Sequence, residues 1–156
     1  MSIEAIVVAI DDLSGPEVAV FLEEHIAEMR SVTPPESKHA LDLEALRKPE
    51  ITFWSAFDGG TLVGCGAIQA LDAEEAEIKS MRVAPSHRRH GVGSVILCHL
   101  LAEAKRRGFT RVSLETGSIE FFEPARRLYL AHGFEYCGPF AGYQPDRNSV
   151  FMTRSL

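Results

Sequence analysis

Apolar and polar positions along the 156-residue chain alternate between the two-residue period of strands and the 3.6-residue period of helices. Residues 3–10 are rich in β-branched side chains and read as a strand that ends at residues 11–15. Pro16 suits the first turn of a helix, and Val18, Phe21, Leu22, His25, Ile26 and Met29 then recur at three-to-four spacing, which predicts a helix with one apolar face through Arg30. Residues 31–37, with Pro34 and Pro35, form a breaker loop before a short predicted helix at about 39–47. Strands are expected at 51–57 and 62–71, joined by the turn Asp58-Gly59-Gly60-Thr61, and again at 77–83.

The pattern then returns to a helical period over 92–107, where Val92, Val95, Ile96, Leu100, Leu101 and Ala104 share one side and Gly108 supplies the stop. A buried strand is predicted at 109–115 and a helix at 123–132, with Pro124 in its first turn and Gly133 past its end. Residues 134–137 and 150–155 close the sheet around a loop at 138–149. The order is strand, two helices, three strands, helix, strand, helix, two strands, which is an α/β chain with a mixed sheet.

Length and composition narrow the class. The chain suits one domain spanning residues 1–156, and 46% hydrophobic with 24% charged residues is globular, with no apolar run long enough for a membrane span. The first ten residues lack a basic start and a cleavage site, so a cytoplasmic location is expected. Cys65, Cys98 and Cys137 are odd in number and lack metal-type spacing, so reduced, mostly buried thiols and no metal site are expected. A net charge of −6 argues against a general nucleic-acid binder. The basic cluster at 82–90, extended by Arg126 and Arg127, points instead to a small anionic ligand.

That cluster lies where the predicted strand ending at Val83 runs through a turn into the helix starting near Val92. A helix start exposes N–H groups without internal partners and carries roughly +0.5 charge. Glycines at Gly91 and Gly93 let a pyrophosphate approach the backbone, and Arg88, Arg89 and His90 add side-chain donors. His90-Gly91-Val92-Gly93 lacks the Gly-Lys-Ser/Thr ending of a P-loop, and Ile96 stands where a dinucleotide fingerprint needs a third glycine.

The spacing Arg88-x-x-Gly91-x-Gly93 after Val83-x-Pro85 resembles the pyrophosphate loop of the Gcn5-related N-acetyltransferase (GNAT) family. Downstream, Ala125-x-x-Leu128-Tyr129-x-x-x-Gly133-Phe134 is similar to the helix that carries that family's catalytic tyrosine. The resemblance implies a single GNAT-like domain, with a mixed, mostly antiparallel sheet of six to seven strands flanked by about four helices. It implies acetyl-CoA held by Met81, Arg82, Val83, Arg88, Arg89, His90, Gly91, Val92, Gly93 and Ser94. The strand before the loop is bulged in this family, and its backbone pairs with the pantetheine arm, a role that falls to Met81 and Val83. Two positions depart from the pattern: Arg89 stands where many members have glycine, and Phe122 where many have a cofactor-contacting asparagine.

Acetyl transfer needs a held donor, a polarised carbonyl, a neutral amine and a proton for the departing thiolate. Tyr129 is the expected general acid. Glu77 matches the general-base position of histone-acetylating relatives, with Glu115, at the end of the next strand, or a water as its rival. Plain alternation places Glu77, Lys79, Met81 and Val83 on one face and Ile78, Ser80 and Arg82 on the other, unless a bulge shifts the register. Cys98-His99 is read as core and surface rather than as a nucleophile–base pair, because adjacent helical residues diverge. Residues 34–39 and Tyr143 are candidates for contact with the acceptor.

The resulting expectation is an acyltransferase moving the acetyl group of acetyl-CoA to a primary amine of a small metabolite or amino-acid-like acceptor, by direct attack in a ternary complex. A peptide or protein N-acetyltransferase is the enzymatic alternative, and a non-catalytic acyl-CoA sensor the other. Expected partners are a small-molecule amine, with a homodimer as the candidate assembly, and neither nucleic acid nor membrane.

Overall fold

The computed structural model describes residues 5–33 and 43–156. Strand β1 (Ile6–Ile10) leads into helix α1 (Pro16–Val32) and the short α2 (Leu43–Leu46). Strands β2 (Ile51–Asp58), β3 (Thr61–Ala70) and β4 (Glu75–Val83) follow, then α3 (Val92–Arg106), β5 (Arg111–Gly117), α4 (Glu123–Ala131), β6 (Glu135–Cys137) and β7 (Ser149–Ser155). They form a seven-stranded sheet in the order β1-β2-β3-β4-β5-β7-β6. Every neighbouring pair is antiparallel except β4 and β5. The element order agrees with the sequence pattern. The expected contacts of residues 34–39 lie outside the described residues, as does the start of the second predicted helix.

Local chemistry explains most boundaries. Gly59 and Gly60 both take positive φ, as a two-residue hairpin between twisted strands requires. Gly108, at φ 92°, ends α3 in the left-handed conformation that a side chain would strain. The α1 and α2 face is packed by Val18, Phe21, Leu22 and Leu46 against Phe53, Cys65 and Ala67 of the sheet. On the opposite face, Ile96, Leu97, Leu100 and Leu101 of α3 meet Trp54, Val63, Ile68 and Ile78.

Two features of β4 shape everything that follows. Its parallel pairing with β5 runs only from Glu75↔Arg111 to Ile78↔Leu114. Beyond it β5 stays paired with β7 through Gly117↔Ser149, and β4 stays with β3 through Val83↔Gly64, so the sheet splits. Second, β3 advances from Cys65 to Ala67 while β4 advances from Arg82 to Lys79, leaving Ser80 and Met81 opposite Gly66. This is a β-bulge, with Ser80 at φ 55°.

The bulge corrects the simple alternation. Ala76, Ile78, Met81 and Val83 pack with the α3 face, whereas Arg82 turns to α1 along with Glu77 and Lys79. The thiols also differ from expectation, because Cys98 and Cys137 are exposed and only Cys65 is buried. The Cys65 Sγ donates to the Ser80 carbonyl at 3.1 Å, and burial pushes its pKa up to about 12.

Candidate active site

A cleft of about 120 Å³ opens where β4 and β5 part. Its wall includes His25 and Met29 from α1, Glu77, Lys79, Ser80 and Met81 from β4, Glu115 from β5, Tyr129 from α4 and Tyr143 from the loop between β6 and β7. Because Glu77 and Lys79 lie on the α1 face and Met81 and Tyr129 belong with the α3 face, the cleft passes through the sheet.

One side of the cleft is made of backbone. Past Ile78, the edge of β4 facing β5 has no ladder partner among the described residues, which leaves strand backbone around Met81 open beside the cleft. At the start of α3, Gly91 takes φ 83° and no side chain caps the helix. The first intrahelical acceptance is by the Gly91 carbonyl from Val95 N–H at 3.1 Å, leaving the N–H groups of Val92, Gly93 and Ser94 without helical partners. A Cβ at Gly93 would lie 3.2 Å from Leu128 of α4 and 3.6 Å from Val83, so this glycine serves close helix packing while Gly91 serves the turn. The exposed cradle, with its uncapped N–H groups and positive helix end, fits a diphosphate.

The basic side chains divide. Arg89 and His90 are exposed at the cradle, and Arg89 adopts φ 65° where glycine would be unstrained. Arg88 instead folds back, its guanidinium 2.8 Å from Glu28 on α1 and its Nε donating to the Val83 carbonyl at 3.2 Å. Arg82 is 7% exposed. Its guanidinium stacks 4.4 Å from the Phe21 ring and lies 3.7 Å from Glu24 and 3.9 Å from Glu28, so its side chain is turned away from the cradle. Arg126 donates to the Gly117 and Ile119 carbonyls, and Arg127 pairs with Glu123, so neither extends the cradle. Ser94 Oγ lies 2.9 Å from His132 Nε2.

Tyr129 is 6% exposed and packs edge-on to Phe134. Burial, then the nearby Glu115 charge, push its phenol well above the ordinary value, so it remains protonated at neutral pH. Its hydroxyl makes no hydrogen bond to any described residue. Phe122, in the place of the family's asparagine, is buried over Gly117, where any Cβ would overlap its ring.

The opposite side of the cleft is made of side chains. Glu77 is 3% exposed. Its Oε2 accepts a hydrogen bond from the Tyr143 hydroxyl at 2.5 Å and lies 3.3 Å from the Lys79 ammonium, which also donates to the Tyr143 oxygen at 3.3 Å. Tyr143 is set by a stack in which its ring lies 5.2 Å from Phe140 and 5.4 Å from Phe151. Burial, then the Glu77 charge, drive its phenol pKa up. Glu115 accepts from Ser149 Oγ at 3.5 Å.

Lys79 and His25 were not legible as site residues. The available signals were a second charge two residues from Glu77 in an apolar strand, and one polar ring within the apolar stripe of α1.

Residues 19–134 match the family described as the acetyltransferase (GNAT) family. The chain is 56% identical over 149 residues to the uncharacterized N-acetyltransferase YsnE of Bacillus subtilis, covering 96% of this chain and 99% of that protein. It is 40% identical over 141 residues to an IAA acetyltransferase of Azospirillum brasilense, covering 89% and 90%. A solved structure from Klebsiella pneumoniae, assigned as an acyl-CoA N-acyltransferase, matches with a TM-score of 0.77 at 28% identity over 97% of both chains. Split sheet, bulged strand, helix cradle and buried tyrosine thus meet in a chain that belongs to the GNAT family of acetyltransferases, acyltransferase enzymes that use acetyl-CoA.

Proposed function

We propose that this chain moves the acetyl group of acetyl-CoA to the primary amine of a small, amino-acid-like acceptor, by direct attack while both are bound. The observation that carries the reading is the split between β4 and β5, which leaves a strand edge for the donor on one side and a charged cleft on the other, with Tyr129 between them. Small volume and closure by Tyr143 favour a metabolite over a polypeptide. The kinship with an IAA acetyltransferase supports acetyl transfer to a small molecule.

Bound acetyl-CoA supplies the acetyl group and a thiolate leaving group. The N–H groups at Val92, Gly93 and Ser94 would hold its diphosphate, with Arg89 and His90 beside them, while the β4 edge near Met81 and Val83 aligns the arm. Two carboxylates against one ammonium give the cleft a net negative charge that attracts a protonated amine. Loss of that proton is needed before attack, because an alkylamine near pKa 10.4 is about 4 kcal/mol from neutral at pH 7. Glu77, held by Tyr143 and Lys79, and Glu115, held by Ser149, both border the cleft, and one of these carboxylates takes the proton directly or through a water. Tyr129 then donates its hydroxyl hydrogen bond, and finally its proton, to the departing sulfur.

Release of free thiol from acetyl-CoA, measured over amino acids, diamines, aromatic amines and N-terminal peptides, tests this. Turnover is expected on small amines. Preference for peptides would transfer the reading to a protein acetyltransferase, and coenzyme A binding without turnover on any amine would favour a sensor.

A further inference from the structure

Among the described residues, three buried side-chain nitrogens lack a hydrogen-bond partner: Arg82 Nε, His99 Nε2 and His25 Nδ1. Two are explained by their surroundings. Arg82 Nε lies 3.9 Å from a Glu28 oxygen, and His99 packs its ring edge-on to Trp54 at 5.7 Å on the far side of the sheet. His25 differs because it borders the cleft, in the same wall as Ser80 and Met81 at the bulge where β4 loses its β5 partner. Buried polar atoms are nearly always satisfied, so an unpartnered nitrogen closed to solvent on a ring that borders a cavity is a position for a ligand seated against that ring to complete.

We propose that His25 orients the acceptor, its Nδ1 taking a hydrogen bond from the attacking primary amine while the ring proton stays on Nε2. The inference rests on the acetyl-transfer reading above and adds the residue that selects and aims the amine. Geometry supplies the reason: α1 brings this ring into the cleft wall together with Ser80 and Met81, beside the strand that would align the thioester. An amine that gives one N–H to Nδ1 keeps its lone pair free to point at that strand, and a tertiary amine has no N–H to give. The ring is suited to accept rather than to carry charge, since burial and the Arg82 and Arg88 cations hold its pKa down to about 4 against the opposing pull of Glu28. It therefore stays neutral throughout the range in which an amine can react.

The test uses whichever amine gives the highest kcat/KM with the wild-type protein. His25→Leu, which fills the volume without a polar atom, is expected to raise KM for that amine at least tenfold while KM for acetyl-CoA stays within twofold. His25→Asn, which can present an amide oxygen near the Nδ1 position, is expected to recover most of the loss. Nitrogen-15 spectra of the wild-type protein give a second readout that needs no variant fold, with the His25 Nδ1 resonance moving on titration with the amine and not with coenzyme A alone. A folded His25→Leu protein with both constants within twofold of wild type, or an Nδ1 resonance that the amine leaves in place, overturns the assignment while acetyl transfer stands. Absence of turnover on every amine removes both together.

Discussion

The two sides of the cleft are built from different materials. The proposed donor side consists of peptide groups: a strand edge near Met81 that is unpaired among the described residues, and uncapped N–H groups at Val92, Gly93 and Ser94. The proposed acceptor side is assembled from side chains at positions 25, 77, 79, 115 and 143, contributed by one helix, two strands and a loop. A backbone site constrains which residues can be small and where the chain must turn, so it leaves a spacing behind. A side-chain site leaves only scattered polar residues whose meeting depends on the whole topology. Donor binding is therefore expected to be robust to side-chain changes and sensitive to glycine replacement, with the reverse on the acceptor side.

The largest expected effect comes from Gly91→Glu. At φ 83° any L side chain is strained, and a carboxylate at the cradle opposes a diphosphate. Calorimetric titration is expected to show no coenzyme A binding in a protein whose circular dichroism is unchanged. Normal binding by the folded variant would dissolve the contrast between the two sides. Next, Tyr129→Phe is expected to lower kcat on the order of 100-fold with the coenzyme A dissociation constant within twofold. A kcat within threefold of wild type would take proton delivery away from this residue.

A smaller effect sharpens the account of the acceptor side through pH. The folded-state pKa of His25, about 4, lies below the unfolded 6.5, so between those values the unfolded chain binds more protons. This histidine's contribution is therefore present above about pH 6.5 and is lost as pH falls toward 4. The thermal midpoint of wild-type protein is expected to drop more over that interval than that of His25→Asn, and parallel curves would mean that the ring is no more buried than in the unfolded chain. Arg89→Gly has the smallest effect, a gain under about 1 kcal/mol, because relief of φ 65° is partly offset by glycine's greater unfolded freedom. A lower midpoint in chemical denaturation would instead show that the Arg89 side chain makes a stabilising contact.

Much of the scaffold could be read directly. Pro16, the Gly59-Gly60 turn, Gly108, Pro124 and Gly133 each mark a boundary because backbone conformation is local chemistry, and the element order followed from periodicity alone. The turn at Gly91 was legible for the same reason. What escaped was non-local. Arg88 and Arg126 look like free donors in the sequence, yet their partners lie on α1 and at the end of β5. Lys79 looks like an ordinary polar strand residue until the loop carrying Tyr143 folds over it. Cys98 and Cys137 are exposed because their elements present those faces to solvent, which residue type alone does not determine.

The extra residue at the Ser80 bulge has a consequence for how this chain can change in length. Excising Ser80 would bring Met81 opposite Gly66 and return β4 to strict alternation with Glu77, Lys79 and Arg82 still on one face and Ile78, Met81 and Val83 on the other, so the packing under α3 would survive while the backbone kink beside the cleft was lost. Insertions at the Gly59-Gly60 hairpin alter neither. The molecule should thus accept lengthening at its tip and also the loss of Ser80, the latter with the fold kept and the alignment of the two proposed substrate walls disturbed.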